Sequence, residues 1–70
     1  MTYIVVVWNN HKERKVLKGF DRKKPVYVSE SQWKRGTPVQ EFGNTTEANR
    51  NIAKIDSYEH WRSRAIVEVH

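Results

Sequence analysis

Seventy residues with no cysteine, three tryptophans and a net charge of +5 describe one small domain, 1–70, of modest stability. The missing cysteines exclude a disulfide framework and a thiolate metal site, and the length leaves no room for a deep cleft between two lobes. The longest purely apolar run, Tyr3 to Trp8, falls far short of the roughly 20 residues of a membrane helix. It is short for a signal-peptide core too, and no small-residue cleavage site follows it, so a soluble, intracellular (cytoplasmic) protein without membrane contact is expected.

The first element is "TYIVVVW", Thr2 to Trp8, rich in β-branched and aromatic residues and too short for a helix. Tyr3, Val5 and Val7 fall on one face and Ile4, Val6 and Trp8 on the other. With both faces apolar, the segment reads as a central strand covered on both sides. The polar "NNHKER" follows as a turn, since asparagine tolerates positive φ. "RKVLKGF" is the return strand, with imperfect alternation at Val16-Leu17 and a bulge signal at Gly19. "DRKK" is a second polar turn. "PVYVSE" is a third strand, with Pro25 at its start, where a missing N–H costs least. "SQWKRGTP" reads as a loop broken by Gly36 and Pro38, and "VQEF" as a short extended segment.

"NTTEANRNIAKI" carries the helix signature. Asn44 is the N-cap, Glu47 stands three residues on, and Ala48, Ile52 and Ile55 recur on one face. Asn49, Arg50 and Lys54 lie away from that stripe. "RAIVEV", Arg64 to Val69, closes the chain as a strand with Ala65, Val67 and Val69 on one face. The order strand, strand, strand, short extended segment, helix, strand predicts an α+β fold: a small antiparallel sheet of three to five strands with one helix on one face. One helix covers one face only. The second face is then covered by the loop around Trp33, or it meets another molecule; a homodimer would form through that face or through an exposed strand edge.

The basic excess is local. Residues 12–24 hold Lys12, Arg14, Lys15, Lys18, Arg22, Lys23 and Lys24 against Glu13 and Asp21, which already accounts for +5. Elsewhere Lys34, Arg35, Arg50, Lys54, Arg62 and Arg64 are balanced by Glu30, Glu41, Glu47, Asp56, Glu59 and Glu68. Such asymmetry is the pattern of a polyanion footprint, in which lysines and arginines on a hairpin track phosphates and release counterions. Lysines of this kind also guard sheet edges against pairing with other chains. Trp33, beside Lys34 and Arg35, is the candidate exposed aromatic that adds stacking or an edge contact. Trp8 and Trp61 read as core.

Little points to catalysis. His11, His60 and His70 are far apart and lack ligand spacing, and no nucleophile-elbow sequence surrounds Ser29, Ser31, Ser57 or Ser63. Gly19, Gly36 and Gly43 are isolated, so no phosphate loop is present. The expected protein is therefore no enzyme, and it takes no metal and no cofactor. It is a basic binding module for DNA, RNA or a nucleoprotein complex, using Lys12, Arg14, Lys15, Lys18, Arg22, Lys23, Lys24, Trp33, Lys34 and Arg35. The alternative is a small protein-binding inhibitor of the phage or mobile-element accessory type. That protein would set the same hairpin against an acidic surface of a host protein that handles nucleic acid.

Overall fold

The computed structural model describes residues 1–9 and 13–69. Along the chain lie β1 (Thr2–Asn9), β2 (Glu13–Asp21), β3 (Lys24–Ser29), α1 (Glu30–Lys34), α2 (Thr45–Asp56) and β4 (Ser63–Val69). The four strands form one antiparallel sheet in the order β3-β2-β1-β4, with α2 as the main helix against it. This is the α+β architecture that the sequence predicts.

The doubly apolar β1 is central, as its pattern requires. It pairs with β4 from Thr2↔Val69 to Trp8↔Ser63, and with β2 from Val6↔Val16 to Asn9↔Glu13. Ile4, Val5, Val6 and Val7 are all fully buried, yet they feed two separate cores. Val5 and Val7 join Leu17 and Phe42 against Ala48 and Ile55 of α2, with Ile52, Ile66, Tyr27, Phe20 and Trp61 packed around them. Ile4, Val6 and Val16 form the core of the opposite face. The adjacent Val16 and Leu17 break a simple alternation because β2 is covered on both sides, so each serves a different core.

The cover of the second face corrects the sequence reading. The segment expected as a loop contains a short helix, α1. Ser29 is its N-cap, and its side chain accepts from the Gln32 N–H while the Gln32 side chain accepts from the Ser29 N–H. The capping-box spacing is legible in Ser29-Glu30-Ser31-Gln32. Gly36, at φ 106°, takes the left-handed conformation just beyond the helix. Trp33, expected as an exposed aromatic, is half-buried and packs with Val39 on the Ile4–Val6–Val16 cluster. Of the two expectations for this face, the folded-over segment is the one the structure shows.

The sheet is also forked. Beyond Val16 β2 parts from β1; its register with β3 shifts between Leu17 and Gly19, and Gly19 sits at φ 156°, where a side chain is strained. "VQEF" fills the opening. The Gln40 N–H donates to the Leu17 carbonyl at 3.1 Å, and Tyr3 and Phe42 exchange two backbone bonds of 2.9 Å. The expected extended segment thus exists as a bridge between diverging strands rather than as a strand of its own.

Candidate nucleic-acid interface

The six described basic residues of the 12–24 stretch do not share one surface. Lys12 lies outside the described residues. Arg14 is at one end of β2 and Arg22 just beyond the other, a separation on the order of 25 Å at about 3.3 Å per residue. Lys15 is half-buried on the α2 side, opposite Val7 and Ser29. Lys18 is exposed at the bulge.

The Arg14 end is internally satisfied. The Arg14 Nε is 3.4 Å from a Glu30 carboxylate oxygen, and its guanidinium stands 4.9 Å from the centroid of the Trp8 ring. Lys34 reaches the other oxygen of Glu30 at 4.0 Å, one helical turn away. Arg35 caps α1 and is exposed. Here the positive charge surrounds a carboxylate and an indole that already engage it.

The Arg22 end differs. Arg22 and Lys23 form a two-residue turn between Asp21 and Lys24, with φ of 50° and 70°. Positive φ at both central positions is the type I′ geometry, which favours Asn-Gly because other L residues pay roughly 1–2 kcal/mol each for it. Arg22, Lys23 and Lys24 are exposed, and none makes an ion pair among the described residues.

The tip leans towards the C-terminal end of α2. Phe20, Lys23, Lys54 and Tyr58 line an open groove of about 450 Å³ between them. Tyr58 is half-exposed, and the Lys54 ammonium stands 5.8 Å from the Phe20 ring centroid. On its other side Lys54 borders a shallower depression with Arg50, Asn51, Gln40, Phe42 and the carboxylates of Glu41 and Glu47. The groove itself is lined by two ammonium groups and two rings, with no carboxylate or imidazole among them. Rings offer stacking faces and ammonium groups offer partners for phosphate, so the groove has the chemistry of a nucleotide contact.

Sequence reasoning found Lys23 and missed Phe20, Lys54 and Tyr58. Lys54 was legible as an exposed helix position. Its proximity to the hairpin tip was not, because residues 20 and 54 meet only through the tertiary fold.

Among the described residues the one displaced ionisation lies elsewhere. Burial pushes the Tyr27 phenol up to about 12, opposed by the hydrogen bond that Trp61 Nε1–H donates to its oxygen at 2.9 Å and reinforced by Glu59 and Asp56. The two rings meet edge to face at 5.1 Å, locking β3 to the corner before β4. Among the described residues no group of three His, Cys, Asp or Glu side chains could hold a metal ion, and no helix is long and apolar enough to cross a membrane. No protein-family model matches the chain, and no curated protein or solved structure resembles it significantly.

Proposed function

We propose that the protein is a non-enzymatic module that binds single-stranded nucleic acid through the tip of the β2–β3 hairpin and the adjoining groove. Arg22, Lys23, Lys24 and Lys54 contact phosphates, and Phe20 and Tyr58 offer stacking faces to bases. The observation that carries this reading is the juxtaposition of Lys23, Lys54, Phe20 and Tyr58 in one open groove at the most basic, unpaired point of the described surface. Rings outside a duplex groove suit unstacked bases, which favours single strands over duplex. Phosphate contacts of this kind position a strand without reading its sequence.

The test is a fluorescence titration with single-stranded DNA, single-stranded RNA and duplex DNA across a salt series. Neutralising about four phosphates on a single strand gives a log–log salt slope near −2.8. Combined Lys23→Glu and Lys54→Glu should weaken binding roughly 100-fold at low salt and flatten the slope by about 1.4. Arg14→Gln should leave both nearly unchanged. Binding that kept its strength and slope in the tip variant would overturn the proposal. Flat curves for every polymer at low salt would also overturn it, and would turn attention to an acidic protein surface as the occupant of the same cations.

A further inference from the structure

We propose that β4 pairs with β4 of a second copy, antiparallel about a two-fold axis through Ile66, so that two sheets join into one. This inference is independent of the nucleic-acid reading.

β4 is an outer strand of the sheet, and among the described residues its backbone bonds run to β1 alone. Its other edge offers a row of N–H and C=O groups to any partner strand. The two sheet edges are built differently. β3, on the far side, begins with Lys24 and Pro25 and pairs irregularly with β2, all of which discourage edge-to-edge association. β4 has neither lysine nor proline, and its register against β1 is unbroken over seven residues.

The charges on β4 select a partner and a register. Arg64 and Glu68 share the α2 face with Ile66, opposite Val7, Tyr3 and Val5 of β1. A two-fold axis normal to a sheet keeps each residue on its own face, so it must pass through a residue rather than between two. Centred on Ile66, the whole strand pairs with itself: Ser63 with the second copy's Val69, Ala65 with its Val67, and Arg64 with its Glu68. Both oppositely charged pairs form at once. Centred on Arg64 or Glu68, like charges face each other and most of the strand is left unpaired. Centred on Ala65 or Val67, one charged residue faces Ile66 and the overlap shortens. The register of greatest overlap is therefore also the register of charge complementarity. Arg64 Nη2 already lies 2.9 Å from Asp56, which leaves its other N–H groups for the second copy, and Glu68 makes no ion pair among the described residues. Half-buried Ala65, Val67 and Val69 gain cover on the opposite face.

An edge contact alone is smaller than the roughly 800 Å² per partner of a standard interface, so the dimer should be weak and concentration-dependent. Sedimentation equilibrium from micromolar to near-millimolar protein should show it. Glu68→Arg, an exposed change, should weaken it roughly ten-fold by placing arginines opposite each other, and Arg64→Glu should do the same with glutamates. Mixing the two variants should restore association as a heterodimer. The chain has no cysteine of its own, so Ile66→Cys gives a register probe. On the axis it meets its own copy and should oxidise to a covalent dimer much faster than Ala65→Cys or Val67→Cys, whose copies lie on opposite sides of the axis. A monomer at every concentration overturns the proposal. So does a dimer that Glu68→Arg leaves intact, or one in which Ala65→Cys cross-links as fast as Ile66→Cys.

Discussion

The two ends of β2 carry the same kind of side chain in opposite circumstances. At one end Arg14 lies over Trp8 and against Glu30, and Lys34 shares that carboxylate. At the other, Arg22, Lys23 and Lys24 stand in solvent without a carboxylate partner among the described residues, the first two in a turn whose backbone disfavours them. Charge density along a chain is therefore a poor measure of charge available to a partner. The Arg14 end is spent largely on holding α1 to the sheet, and the tip is where positive charge remains unengaged. Strained backbone tends to collect at functional sites, and the tip combines strain with free charge.

The contrast can be broken at the tip first. Arg22→Asn with Lys23→Gly supplies the residues that a type I′ turn favours and should raise stability by about 1–2 kcal/mol in urea unfolding. The same change removes two of the proposed phosphate contacts, so stability should rise while nucleic-acid affinity falls. A variant that gained neither stability nor lost affinity would mean that the turn is neither strained nor functional. At the other end the signs differ. Arg14→Ala should cost up to about 1 kcal/mol, because it removes a partly exposed ion pair and a cation–π contact. Its nucleic-acid affinity should stay near that of the parent chain.

The smallest effect concerns Tyr27, which anchors the β3 side of the hairpin to Trp61. Folding favours its neutral phenol, since its pKa rises from 10.0 to about 12. Below pH 10 both folded and unfolded chains hold the proton, and the contribution is fully present. Between pH 10 and about 12 the unfolded chain loses its proton first, so stability falls as pH rises through that window. Urea midpoints measured across the window should decline more steeply for the parent chain than for Tyr27→Phe. Equal slopes would remove Tyr27 as the cause.

Much of the fold was legible because its determinants are local. The β-branched run at Thr2 to Trp8 called for a doubly covered strand. Asn44 with the Ala48–Ile52–Ile55 stripe called for the helix, and Gly19 marked the bulge. α1 was hidden behind Gly36 and Pro38, although its Ser29–Gln32 capping box stood in the sequence. Trp33 misled for a related reason. Its basic neighbours Lys34 and Arg35 face solvent, and the five-residue helix turns the indole between them and the sheet.

The candidate site was half legible. Its cations at Arg22, Lys23 and Lys24 follow from composition and turn chemistry, which depend on neighbours a few residues away. Its other members do not. Phe20 approaches Lys54 and Tyr58 because β2 diverges from β1 after Val16, and because Gln40 and Phe42 hold that fork open beside α2. The sequence by itself determined which segments are strands and helix, because periodicity and capping act over single turns and residue pairs. The tertiary structure decided which cations are neutralised, which ring is buried and which side chains share a groove, because these depend on distances between residues far apart in the chain.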